Sequence, residues 1–425
     1  MNIICVFIFL IISLLLIVNF KCTFMVVSAC SMVLGCMNGV GPFGMYQAVS
    51  IAAFSIFMLR YFYWKDMRTY PLLFSSILLI VSYVLSNHYA VYRHYGSLVS
   101  CIVVDVASLF VFYQIISKNS RYIFIYIRTC VILSLVVGVY TLVETIISSN
   151  HYMFIVNSLE LYSQDIIVED IRFGMKRAQA IFGMHTTLGG FSTMMAGLLL
   201  WVRLNCPLYV KKLGKKKLSI AIGLMIIAVF LTGTRSTIAG LAVVLMSFFS
   251  FKHVKMKYVF IAIVSVVIGF MALDAYLDKI ILSFTDTESV GGSNTDMRSI
   301  QFELAALLMQ SPFLGNGISY TFEYVADKYK EMCGAESLWI PIMIDFGMLG
   351  ITAIIVFIIQ VGYYIKKYCE IRLLFFLLGI LVFNSLSSIP AFSFTQLFYL
   401  FVIIAFLKKH QVSICNSPSS SPSIK

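Results

Sequence analysis

The sequence predicts an all-α polytopic integral membrane protein, and three observations carry that reading. Of 425 residues, 60% are hydrophobic and 12% charged, with a mean hydropathy of +0.94, a composition that belongs to membrane-embedded chains. Apolar stretches of about 20 residues, long enough to cross a hydrocarbon core as a helix, recur along the chain. The lysines and arginines collect in alternate loops. A soluble globular domain is excluded, and the net charge of +12 needs no nucleic acid, because basic loops on one side are drawn to an anionic leaflet.

Spans are expected near 2–20, 22–38, 45–60, 70–86, 96–117, 122–148, 180–203, 217–232, 236–251, 257–275, 337–364, 371–388 and 390–407. That is about twelve helices, within a range of eleven to thirteen. Basic clusters at Arg60–Lys65–Arg68, Lys118–Arg121–Arg128, Arg203 with Lys211–Lys217, Lys252–Lys257, Lys366–Arg372 and Lys408–Lys409 mark one face as cytoplasmic. They place the C-terminus there, whereas the N-terminal side rests on Lys21 alone and stays open.

Residues 1–148 form the N-terminal group of transmembrane helices. Their first stretch has no basic leader or small-residue cleavage site and reads as a retained helix. Asp105 is either a functional intramembrane carboxylate or one hydrogen-bonded between helices, and Glu144 either a functional acid or a group at the outer interface. Residues 149–179 are the first external loop, whose alternation of apolar and charged residues suits an interfacial helix or a short hairpin.

That loop ends in Arg177 at the membrane surface, either a basic anchor or part of a site. His185 follows at a helix start, either structural or a base. Residues 180–275 form the central helices. There the chain turns back at LTGTRSTIAGLAVVL, which sets Arg235 among Thr232, Thr234, Ser236 and Thr237. A guanidinium at such depth is costly unless it meets an anion; its planar fork suits a phosphate, and the dipole of the helix starting there adds attraction. The alternative is an arginine snorkelling to the outer headgroups.

Residues 276–336 form the large external loop; ten of the 19 acids lie between Asp274 and Glu336. Its sequence predicts a Gly/Ser/Asn turn, an amphipathic helix capped by Asn294 or Asp296 with Arg298 in its first turn, a bend at Gly315 and Gly317, and a charged helix near 319–331. Residues 337–407 are the C-terminal transmembrane helices, in which Asp345 invites pairing with an arginine of the bundle. Residues 408–425, polar and Ser/Pro-rich, read as a disordered cytoplasmic tail. The ten cysteines are scattered without a CxxC pair, so neither a disulfide framework nor a metal site is expected.

Four segments, RAQAIFGMHTTLGGF at 177–191, LTGTRSTIAG at 231–240, MRSIQFELAALLMQSPFLGNGISY at 297–320 and ESLWIPIMIDFGMLG at 336–350, together resemble the O-antigen polymerase and O-antigen ligase family of bacterial membrane glycosyltransferases. The resemblance implies a multi-pass protein of the bacterial inner membrane whose active site faces the periplasm or cell exterior. Its implied function is to polymerise undecaprenyl-pyrophosphate-linked repeat units into O-antigen, capsular or exopolysaccharide.

By position, Arg235 and Arg298, with Arg177 as a third, would hold the pyrophosphate. The ligases carry a histidine eleven residues before the glycine of the last motif; this chain has Glu336 there, either a proton acceptor or a solvated helix end. No cofactor and no metal are implied. The implied partners are the lipid-linked glycans, the bilayer, a chain-length regulator and a flippase. One alternative is a ligase delivering glycan to lipid A core or protein; a transporter or flippase is another.

Overall fold

The computed structural model describes residues 2–90, 93–119, 121–162, 171–172, 175–248, 295–325, 328–329, 332, 337–368, 373–387, 399 and 402–404. Within them the protein is helical, apart from a hairpin in which Ile171–Arg172 pairs antiparallel with Met175–Lys176. The first loop contains both suggested forms, a helix at His151–Ser158 and this hairpin; its acids at 165, 169 and 170 lie outside the described residues.

Among the described residues, four helices are long and apolar enough to cross a membrane: Tyr95–Lys118, Arg121–Ile147, His185–Asn205 and Trp339–Lys367. The apolar helices Ile3–Val18, Phe20–Ala29, Met45–Arg60, Leu73–Tyr89, Arg235–Met246 and Leu373–Ser385 are shorter. An expectation of about twelve spans therefore counts short helices as crossings. The one expected near 257–275, and most of that near 390–407, lie outside the described residues.

Helix His185–Asn205 is the axis of the bundle. It is buried from Thr187 to Leu199 and packs against Lys215–Leu231, Arg235–Met246 and Leu373–Ser385. The last two helices meet backbone to backbone: a Cβ on Gly240 would stand 2.9 Å from the Gly379 carbonyl oxygen, and one on Gly379 would stand 2.7 Å from that of Gly240. Membrane helices approach this closely through small residues, where packing replaces the hydrophobic drive that lipid does not supply.

Polar contacts settle the direction of the first helices. Asn2 Nδ2 donates to the carbonyl oxygens of Leu159 and Glu160, and Asn38 Nδ2 to that of Tyr162 at 2.9 Å. Arg60 Nη1 donates to Ile17 O at 3.0 Å, at the other end of the first helix. Asn2 thus lies on the face of the 149–179 loop, and Lys21 on the basic face.

Candidate functional site

Residues 177–181 cross the loop face as irregular chain, so their buried backbone groups need partners that a helix would have supplied. Glu144, 1% exposed, provides two of them. Its carboxylate accepts the Ala180 N–H at 2.7 Å and the Gln179 N–H at 3.2 Å, and Lys176 Nζ stands 3.5 Å away. Asn150 Nδ2 donates to Ala180 O at 2.8 Å. The Tyr162 hydroxyl donates to Ile181 O; burial raises its ionisation well above the usual phenol range, which keeps it a donor. Glu144, near the loop end of helix Arg121–Ile147, is therefore a buried clamp on this segment.

The clamp presents Arg177 to the turn that precedes Arg235. Ala178 N–H donates to Leu231 O at 3.0 Å. Arg177 Nε donates to Thr232 O at 3.0 Å and Nη2 to Thr234 Oγ1 at 3.0 Å. The turn is tied down from within, Thr232 Oγ1 donating to Val229 O at 2.7 Å and Thr237 Oγ1 to Thr234 O at 2.7 Å. Arg235 is the first residue of its helix, with Thr234 at the N-cap, and is half-buried. Arg177 and Arg235, from segments far apart in sequence, thus share one helix N-terminus, where backbone N–H groups and the helix dipole favour an anion.

Ser236 extends the site sideways, its hydroxyl 3.0 Å from that of Ser387. The same short strip anchors the chain that follows Glu336: Leu338 N–H donates to Asn384 O at 3.1 Å and Trp339 Nε1 to Ser385 Oγ at 2.9 Å. Glu336 itself lies outside the described residues. Arg298 stands in the first turn of helix Thr295–Leu308, its side chain likewise outside the described atoms. That helix packs through Ala305 into a cluster with Val325, Met332, Ile340 and Ile344, so the large loop sits on the first turns of helix Trp339–Tyr368.

The contact continues through the backbone. Asn316 N–H donates to Ile344 O at 2.8 Å and Gly317 N–H to Asp345 O at 3.0 Å; Met348 and Leu349 N–H donate to Pro312 O and Phe313 O, both at 3.0 Å. Gly347, at φ 59 and ψ −156, interrupts the helix and opens these groups to the loop. A Cβ on Gly347 would stand 2.6 Å from Gly315 N, and one on Gly315 2.5 Å from the Asp345 carbonyl carbon.

Asp345 does not take the expected arginine as its described partner: Oδ1 accepts the Thr321 hydroxyl at 2.6 Å and the Thr321 N–H at 2.8 Å. The charged helix expected near 319–331 is, where described, a π-helical turn at Thr321–Val325. Asp105, in a π-helical stretch Ile102–Ala107, accepts the Tyr83 hydroxyl at 3.1 Å, as the interhelical reading anticipated. His185 opens its helix and is half-buried. Among the described residues, no three His, Cys, Asp or Glu side chains converge as metal ligands would.

Fold and site together define an apolar helical protein that brings Arg177 and Arg235 to one threonine-rich helix N-terminus, with a long loop docked on the start of helix Trp339–Tyr368. Residues 220–355 match the family model described as O-Antigen ligase. Over that stretch, about a third of the 425 residues, the chain is similar to the O-antigen ligase family. The matched stretch includes Arg235, Arg298, Glu336 and Asp345; Arg177 precedes it. No curated protein matches the chain.

Proposed function

We propose that the protein polymerises undecaprenyl-pyrophosphate-linked oligosaccharide repeat units at the outer face of the bacterial inner membrane. The observation that carries this reading is the seating of Arg177 on the Thr232–Thr234 turn beside Arg235. In this reading the donor is the growing glycan on its lipid pyrophosphate, and the acceptor is the terminal sugar of a new lipid-linked unit.

The acceptor hydroxyl oxygen forms a bond to the donor's anomeric carbon, while the bond from that carbon to the pyrophosphate oxygen breaks. The proton passes to Glu336, and undecaprenyl pyrophosphate leaves carrying the electron pair. Arg235 and Arg298, with Arg177, stabilise charge as it develops on the leaving group, where fixed donors act most strongly. The large loop holds both glycans against the membrane surface.

A second reading, a ligase transferring finished glycan to lipid A core or protein, is favoured by the description of the matched family. The transporter alternative draws no support from that match. The test is a gel of envelope glycans from a deletion strain complemented with wild type, Arg235→Ala, Arg298→Ala or Glu336→Ala. The polymerase reading expects single-unit glycan in the deletion, a ladder with wild type and none with the variants. Loss of even the single-unit band while lipid-linked polymer accumulates identifies a ligase instead.

A further inference from the structure

On the basic face, remote from Arg177, the ends of three helices enclose a cavity of about 210 Å³. Its floor is aromatic and buried: Phe20 and Phe57 are each 2% exposed, and Phe20 stacks on Tyr61 at 5.1 Å between ring centroids. Gln114 adds a buried amide to the wall. Two ammonium groups flank it. Lys21 Nζ lies 5.6 Å from the Tyr61 ring centroid and Lys118 Nζ 5.0 Å from that of Tyr63.

Each cation is held over a ring face by the ring quadrupole. An ammonium carries three N–H donors, so the ring contact and an anion do not compete for the same atoms. No carboxylate is among the described residues that line the cavity. The volume is below the roughly 300–1,000 Å³ of sites that engulf a drug-sized ligand, which suits a headgroup and not a whole glycolipid. Beside the mouth stand bare apolar side chains: Val18 is 75% exposed, Leu59 86% and Trp64 78%. Cationic donors over an aromatic floor, with apolar surface next to them, match a ligand that is anionic at one end and greasy at the other.

We propose that this cavity binds the phosphate headgroup of an anionic phospholipid between Lys21 and Lys118, with the acyl chains lying along Val18 and Leu59. The test uses the full chain purified in detergent and titrated with phosphatidylglycerol, with phosphatidylcholine of the same chains, and with inorganic phosphate, while thermal unfolding is followed. Phosphatidylglycerol is expected to raise the midpoint by about 3 °C. Phosphatidylcholine is expected to raise it by less than half as much, and phosphate not at all.

The Lys21→Gln/Lys118→Gln pair loses the rise, whereas Lys366→Gln/Lys367→Gln, on the same face, keeps it. The proposal is overturned if the first pair keeps the full rise, or if both pairs lose it equally, the signature of general surface attraction. A rise with inorganic phosphate alone replaces the lipid by a free phosphate. Should the first pair not fold, a photoactivatable phosphatidylglycerol on the wild-type chain decides: adducts belong on peptides containing residues 18–21, 57–64 or 114–118, and adducts confined elsewhere refute the site.

Discussion

Arg177 and Thr234 meet side chain to side chain, Nη2 donating to Oγ1 at 3.0 Å, one residue before Arg235 begins its helix. The contact joins the end of the first loop to the turn between two central helices. It also orients the Arg177 guanidinium, because Nε is engaged by Thr232 O on the same turn.

Arg177→Lys tests that orientation. Lysine keeps the charge but lacks the planar fork that reaches both Thr232 O and Thr234 Oγ1. Losing one charge-assisted hydrogen bond of about 1.5–3 kcal/mol is expected to lower polymerisation of a synthetic lipid-linked unit by roughly 10- to 100-fold. A rate within about twofold of wild type would remove Arg177 from the site.

Glu144 should act through folding of the loop. Glu144→Ala leaves the Gln179 and Ala180 N–H groups without their carboxylate and Lys176 without its counter-charge, a loss of about 3–5 kcal/mol for a broken buried pair. A lower thermal midpoint in detergent and accelerated cleavage between 163 and 176 under limited proteolysis are expected. Glu144→Gln, which keeps an acceptor oxygen, should fall between Ala and wild type.

Gly315→Ala and Gly347→Ala strike one seam from its two sides. Each combines a positive φ with a Cβ closer than 3.0 Å to opposing backbone. Strain of about 1–3 kcal/mol before any clash should lower the thermal midpoint in both. The double variant should lose less than the sum, since the seam fails only once.

Asp345 and Thr321 should be energetically coupled. In a double-mutant cycle, Asp345→Ala and Thr321→Val are expected to show about 1–2 kcal/mol of interaction, read from thermal or denaturant unfolding. Strict additivity would mean that the 2.6 Å contact contributes nothing specific.

Cys206 offers a chemical test of burial on the basic face. Burial pushes its thiol up to about 12, and the thiolate is the reactive form. At pH 8 only about one molecule in 10⁴ would carry it. Because the fold favours the neutral thiol, reactivity is suppressed at neutral pH and returns as pH rises toward 12 or as the chain unfolds. Maleimide labelling of a variant retaining only Cys206 is expected to be slow at pH 8 and prompt in denaturant.

The sequence made the helical, apolar fold class legible, because apolar run length is a local property. It also singled out the LTGTRSTIAG turn. It did not reveal that Arg177 seats on that turn, since the contact joins positions 55 residues apart and uses a main-chain oxygen as one acceptor. The role of Glu144 was hidden for the same reason: its main partners are backbone N–H groups, which every residue but proline carries. Asp345 invited an arginine because charge is what a sequence displays, yet a threonine satisfies it. Lys21 alone left the first helices undirected, and the amides of Asn2 and Asn38 supplied what charge did not.

The interruption at Gly347 turns one apparent helix into two rods with a joint between them. The lower rod, from Met348 to Tyr368, belongs to the bundle. The upper, from Trp339 to Phe346, carries the large loop on its flank through Ile340 and Ile344. A load on the loop would reach this joint first and would tilt the short rod against the long one, so the seam behaves as a lever with its fulcrum at a single glycine.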